Sequence, residues 1–555
     1  MKFLAKNISS LEKCLPTDNF SSKRELNGFS ALRKETLSYQ IAYTIENWEG
    51  MHNSVFYAKA EAPDGFSVKM SRIENVPVKF NTYPECGDDN YISKAPGLFP
   101  DLMLPIIDCT ELRVAPGCLH SIWVDVEIPS SADAGENIIK VSFFRDPLDS
   151  GSLVETLEFS INVIGVDLPE QELTVTQWFH CDCLAEYYGV DVFSEKHWKI
   201  IGNYMRSAAK NGINTILTPV FTPPLDTALG KERPTVQLTE VFYESGNWSF
   251  DFARLDRWIE LALSSGIRYF EISHLFTQWG AKHAPKIVGW KNGRFVKLFG
   301  WETDASSDEY AAFLRSFLRA LTVHLKKRGV DNICFFHISD EPTTDHIDSY
   351  ATAKAMIADL LAGYQMIDAL SSVEFYNLGL IEHPIPSVDH VEPFLEANVK
   401  DLWVYYCCAQ HTDASNRFIA MPLSRERIIG AQMYKYSIAG FLHWGFNFWF
   451  TMGSQQKIDP YVCNDAGGVP AGDPFSVYPA PDGSAYESIR LVCFRDAITD
   501  LRAMKLCEEL CGREAVLAAI DEIMPAPFDF KNFPQNGMYI LALRAKINSM
   551  IEEAL

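Results

Sequence analysis

From residue 172 onward the chain alternates apolar runs of about seven to eleven residues with longer amphipathic segments, the pattern of βα units feeding a parallel sheet. The runs start near Leu173, Asn214, Ile267, Asn332, Val373, Asp401, Gly440 and Asp473, and helical stretches such as 307–328 and 424–438 separate most of them. Eight parallel strands with intervening helices predict a (β/α)8 barrel of TIM type. The fifth connection and the eighth strand are the least regular, which leaves an open doubly wound sheet as the alternative.

Before residue 168 the period is different. Short alternating runs, such as Ser121-Ile-Trp-Val-Asp-Val-Glu-Ile128, are separated by turn clusters such as Pro129–Gly135, and a β-sandwich is expected. The run from Ile138 to Phe144 reads as the hairpin partner of 121–128, and 153–163 supplies a further strand. A Pro-containing boundary lies at 167–171, and the tail beyond 511 reads as helix broken by Pro525, Pro527 and Pro534. The expected fold class is therefore multidomain α/β: an N-terminal β-sandwich (1–168), a (β/α)8 catalytic barrel (172–510) and a short C-terminal helical segment (511–555). A length of 555 residues, 47% hydrophobic and 22% charged, accommodates these domains and excludes a disordered chain.

Forty-nine Lys and Arg against 72 Asp and Glu give a net charge of −23, which repels phosphate backbones and anionic surfaces, so nucleic acid is not an expected partner. The first twenty residues contain no secretory apolar core, and the most apolar run, 440–450, is too short for a membrane span. Thirteen scattered cysteines suggest free thiols and a cytoplasmic protein. The oligomeric state, a homo-oligomer included, stays open.

In such a barrel the chemistry belongs at the C-terminal ends of the strands. Thr174, Thr176, Trp178 and His180 share one face of the first strand by the two-residue period, and the third strand ends at His274. The strand at 440 could turn His443, Gly445, Asn447 and Trp449 to the lumen and Leu442, Trp444, Phe446 and Phe448 outward. Asp340-Glu341-Pro342 is the strongest signal. Both acids can reach one pocket only if the strand ends or bulges there, which Pro342 favours, with His337, Ser339 and Glu341 on the inward face. A close, desolvated pair of acids titrates as a unit and supplies one acid and one charge stabiliser. The alternative is an Asp340 that only caps a helix. Trp178, Tyr376, Tyr405, Trp444 and Trp449 near strand ends offer apolar faces of the kind on which sugar rings stack.

Four segments in order resemble glycoside hydrolase family 123, the β-N-acetylgalactosaminidases: Ile272-Ser-His-Leu-Phe276 with Trp279-Gly280, Phe336-His-Ile-Ser-Asp-Glu-Pro342, Gly440–Trp449, and Asp473-Pro-Phe-Ser-Val-Tyr-Pro479 with Asp482-Gly483 and Ser488-Ile-Arg490. The resemblance implies a retaining exo-hydrolase in which the substrate's own acetamide is the nucleophile. It assigns Asp340 to orienting the acetamide and Glu341 to general acid and base. Tyr376 or Tyr405 would donate to the acetamide carbonyl, and Trp444 or Trp449 would wall its methyl. His274, His337 and Asn447 would meet sugar hydroxyls, with Trp178 and His180 on a side of the same pocket. Arg490 is either a bridge to the site or a helix-surface ion pair.

No cofactor is expected. His180-Cys-Asp-Cys183 lacks a second pair of ligands at usable spacing, so no metal is expected, and the Cys407-Cys408 pair reads as packing. Glu271 and Glu374 are spare carboxylates. Either one facing Glu341 at about 5 Å would restore a two-carboxylate mechanism with a different sugar specificity. A non-catalytic glycan-binding protein is the alternative from another class.

Overall fold

A computed structural model describes residues 2–46 and 54–555. The N-terminal region is built from two five-stranded sheets. One runs in the order Lys2–Ser9, Thr36–Glu46, His120–Glu127, Ser67–Val78, Gly97–Pro105, and the other in the order Gly28–Arg33, Leu153–Asp167, Gly135–Phe144, Ser54–Glu61, Leu112–Val114. Alternate residues of facing strands, among them Ile122, Val124 and Val126 from one sheet and Ile139, Val141 and Phe143 from the other, share a single buried core. The expected hairpin between 121–128 and 138–144 does not form. The strands lie in different sheets, and Gly135–Phe144 pairs instead with Leu153–Asp167. Alternation marks a strand but not its partner, and the stretch Pro129–Ala134 is longer than a tight hairpin turn needs.

The second region is an eight-stranded parallel sheet curled nearly shut. In chain order its strands are Thr174–Gln177, Thr215–Thr218, Tyr269–Ile272, Cys334–Phe336, Gln365–Ala369, His383–Ile385, Trp403–Tyr405 and Gly440–His443. The last pairs with both the first and the seventh. A single bridge, Ser387 to Tyr405, joins the sixth to the seventh. Gly440 is required for closure, because a Cβ there would lie 2.2 Å from the Trp403 ring.

Two of the eight expected strand positions are wrong. Val373 precedes a short helix, Glu374–Asn377, and Asp473 lies in a loop. The true fifth and sixth strands, Gln365–Ala369 and His383–Ile385, are only five and three residues long. Pro384 sits within the latter, which stands at the end of the ladder, where a missing donor is tolerated. The run at 440 is thus the eighth strand. The helix expected at 307–328 is Asp308–Arg328, capped by Ser307 at one end and by left-handed Gly329 at the other. The segment 424–438 forms two abutting helices, Ser424–Arg427 and Ile429–Lys435.

Helix Ile489–Cys511 joins the two regions. Ile489, Val492 and Cys493 pack on Ile73, Met103 and Trp123. The same helix sends Arg490 to Asp101 (2.8 Å) and Arg495 to Asp125 (2.9 Å) of the sandwich strands. Arg490 is therefore no surface ion pair but a buried tie, and its donations to the Gly472 (2.7 Å) and Phe475 (3.0 Å) carbonyls connect the sandwich to the loop that carries Asp473. The tail forms Arg513–Ile523 and Met538–Ala554, and Arg544 of the latter pairs with Glu35 at 2.5 Å. Among the described residues no helix is long and apolar enough to cross a membrane.

Candidate active site

The floor of the barrel mouth is a buried polar chain. Glu271, at the end of the third strand, accepts hydrogen bonds from Thr176 Oγ1, Trp178 Nε1 (2.7 Å) and His337 Nε2 (2.5 Å). His337 donates through Nδ1 to Asp368 (3.0 Å), whose other oxygen accepts from Tyr350 (2.5 Å). Burial pushes the His337 imidazole toward neutrality, but the Glu271 and Asp368 carboxylates outweigh it and hold its pKa at about 9. A buried imidazolium thus lies between two acids. His274 stacks on it with ring centroids 4.1 Å apart, and Trp178 meets His274 edge-on. Burial first, and the neighbouring His337 charge second, push the His274 pKa well below the usual range, so its ring is neutral. Neither of its nitrogens has a partner among the described residues. Such orphaned buried groups are costly unless a ligand meets them.

Above this floor the fourth strand stops at Phe336, and residues 337–342 leave the ladder. Glu341 is left-handed, with φ 44°, and its N–H donates to the Ala369 carbonyl at 2.9 Å. That turn breaks the two-faced alternation of a strand and lets consecutive acids converge. Asp340 is buried, and its pKa is raised well above the usual carboxylate range by desolvation first and the Glu341 charge second, with His337 in part offsetting both. Tyr405 Oη donates to Glu341 Oε1 at 2.8 Å. Asp340 is no helix cap, because the short helix downstream is capped by Thr343. Among the described residues no side chain donates to the Asp340 carboxylate.

The walls come from the seventh and eighth strands. Trp178, Tyr405, Cys407 and Leu442 share the barrel's inner cluster, and half-buried Trp444 packs on it. Trp444 Nε1 donates to Asp473 at 2.9 Å, and burial raises the Asp473 pKa to about 7. The facing expected for the eighth strand is therefore inverted. Leu442 and Trp444 turn inward, whereas Phe441 packs on the outer Phe494 and His443 accepts from Arg417 at 2.8 Å. Polar residues suggested the lumen, but here they form a buried network outside it.

Of the expected site residues, the structure gathers Asp340, Glu341, Trp178, His274, His337, Tyr405 and Trp444. The other four lie elsewhere. His180 is occupied by Arg233 (3.0 Å) and the Trp444 carbonyl (2.9 Å), and burial lowers its pKa to about 3. Asn447 closes onto the His180 backbone through both ends of its amide. Trp449 is core, 5.4 Å from Tyr187 and 5.9 Å from Tyr204. Tyr376 packs on the main core from its short helix. In each case the residue lies past the strand's end, where alternation no longer applies.

Glu271 has both oxygens engaged, and Glu374 is exposed on that same short helix, so neither faces Glu341 as a free nucleophile. Asp368 and Tyr350 were not singled out in the sequence, and Asp473 entered only as a strand start and within a family segment, not as a site residue. Only a correct fifth strand would have pointed to Asp368, at its end. In the His180–Cys183 segment a guanidinium sits where an ion would be held, because Arg233 pairs with Asp182 at 2.7 Å. His274, His337 and Asp368 lie within 4.8 Å of one another, but His337 already bonds a carboxylate at each nitrogen.

Paired acids at the mouth of a parallel barrel are apparatus that glycoside hydrolases use. Residues 178–507, more than half of the chain, match the family model described as glycoside hydrolase 123, catalytic domain. The protein is a glycoside hydrolase. It belongs to family 123.

Its fold is that of a family 123 glycoside hydrolase from Clostridium perfringens, described in a study of glycolipid glycan hydrolysis, with TM-score 0.73 and 17% identity over 100% of this chain and 99% of that one. A putative β-galactosidase from Bacteroides fragilis (TM-score 0.32, 8% identity, 85% of this chain and 59% of that one) overlaps too loosely to carry an argument. The same holds for a family 5 mannosidase from Rhizomucor miehei (TM-score 0.31, 13% identity, 60% and 93%). No curated protein matches.

Proposed function

We propose that the enzyme is a retaining exo-β-N-acetylgalactosaminidase in which the substrate's acetamide oxygen attacks the anomeric carbon. The observation that carries this reading is the convergence of Asp340 and Glu341 at one mouth, Asp340 buried with no donor on its carboxylate among the described residues and Glu341 held by Tyr405. An acetamide N–H is the donor that Asp340 lacks. In accepting it, Asp340 favours its ionised form, and Glu341 supplies the proton that the leaving group needs.

Glu341 gives that proton to the glycosidic oxygen as the bond to the anomeric carbon breaks and the acetamide oxygen closes the oxazolinium ring. It then takes a proton from water as that water opens the ring, so the configuration is retained. Internal attack needs no protein nucleophile, consistent with the engaged oxygens of Glu271. The half-buried Trp444 and the unpartnered His274 nitrogens suit the sugar's apolar face and hydroxyls.

The Clostridium perfringens relative is described with glycolipid glycans. A terminal amino sugar on such a glycan is the substrate class we assign, with galactosamine chosen over glucosamine on family membership. Thirteen free thiols support a cytoplasmic location. Turnover of an aryl β-N-acetylgalactosaminide, compared with the plain β-galactoside, tests the mechanism: the acetamido substrate is expected to be faster by at least a hundredfold. Comparable rates would eliminate acetamide participation.

A further inference from the structure

The reaction so described leaves Trp279 unused. It is the most exposed tryptophan among the described residues, at 53%, yet its backbone lies against the catalytic acids, its main-chain N–H donating to the Asp340 carbonyl at 2.9 Å. Among the described residues no aromatic ring or cation covers its indole. The turn that presents it is strained: Trp279, Gly280 and Ala281 are successively left-handed, with φ of 57°, 108° and 55°. It is also clamped. A Cβ at Gly280 would lie 2.6 Å from the His346 ring, just beyond the acids, so the turn rests directly on that segment. Gln278, one residue before, accepts from the Asp226 N–H at 2.7 Å, and Asp226 accepts from Ser454 Oγ at 2.7 Å, which ties together loops following three barrel strands.

We propose that Trp279 is the stacking platform for the first sugar on the leaving-group side of the scissile bond. This deepens the function proposed above and rests on it. The buried chain of Glu271, His337 and His274 closes the barrel beneath the acids, so the interior holds the ring that is cleaved and its substituent must emerge past the acids. An exposed indole, carried on a turn whose backbone is bonded to Asp340, is placed to meet that substituent there. A pyranose presents an apolar face of the size of an indole, and a turn already clamped in place leaves only the side chain's own freedom to be lost on stacking.

The test compares Trp279→Ala and Trp279→Phe with the unaltered enzyme. A thiazoline derived from N-acetylgalactosamine occupies only the interior ring position, whereas a β-N-acetylgalactosaminyl-(1→3)-galactoside also reaches the rim. The expected result for Trp279→Ala is an inhibition constant for the thiazoline within twofold of normal and a kcat/KM on the disaccharide lowered about tenfold or more, with Phe restoring most of it. Gly280→Ala, which pushes the turn off His346, is expected to reproduce the disaccharide defect. Equal losses on both probes, or no loss on either, would overturn the platform. An unaltered enzyme that neither binds the thiazoline nor cleaves the disaccharide would overturn the function on which it rests, and the platform with it.

Discussion

The buried imidazolium under the acids should leave its mark on stability against pH. His337 has a pKa of about 9 in the folded chain against an ordinary 6.5. A span of about 2.5 pH units at 1.36 kcal/mol each is about 3 kcal/mol. Because the folded value is the higher one, this stabilisation is complete below pH 6.5. It declines as pH rises, and it is lost above about 9. Unfolding entropy near 2.1 cal/mol/K per residue over 555 residues is about 1.2 kcal/mol/K, so the effect amounts to about 2.5 °C in Tm. His337→Gln keeps the ring's bulk roughly but not its charge. It leaves Glu271 and Asp368 buried without a counter-ion and should cost about 3–5 kcal/mol at pH 6. Calorimetric Tm values for both proteins between pH 6 and 9.5 give a difference in which most other titrations cancel. That difference should shrink by about 2.5 °C between pH 6.5 and 9. A constant difference across the range would refute a charged His337.

Glu341→Gln should slow substrates with poor leaving groups by about 10²–10⁴-fold and those with good leaving groups far less, because only the former need protonation. Equal losses in a leaving-group series would remove Glu341 from the role of acid. Asp101→Asn leaves Arg490 buried at the junction of the two regions with a weakened partner, and a loss approaching about 3–5 kcal/mol is expected. By the same entropy conversion that is a fall of about 2.5–4 °C in Tm, read by calorimetry, with the leaving-group dependence of the folded enzyme unchanged.

Much of the fold could be read from period alone. The change from alternating runs to longer apolar runs with amphipathic helices separates two sheets of mostly opposed strands from a parallel barrel, and each period reflects which faces are buried. The acids were legible for a related reason, since Pro342 directly after two carboxylates announces the end of a strand. What period could not give was pairing and facing. The strand 121–128 took partners across the sheet rather than across the turn, and the eighth barrel strand turned its polar residues outward. Two strands of five and three residues were too short to show any period at all.

The amino-acid order by itself determined the layered architecture, the place of Asp340 and Glu341 at a strand's end, and the class of chemistry that two such acids perform, because these depend on local periodicity and on residue type. Tertiary structure decided which aromatics and histidines join them. Tyr405 bonds Glu341, and His337 with His274 stacked on it joins the buried chain of the floor, whereas His180, Asn447, Trp449 and Tyr376 satisfy neighbours elsewhere. The physical reason is that most buried polar groups must find a partner within the protein, and those that do not are left for a ligand. Which partner each finds depends on loops that leave the strand's two-residue rhythm, and only packing sets their course.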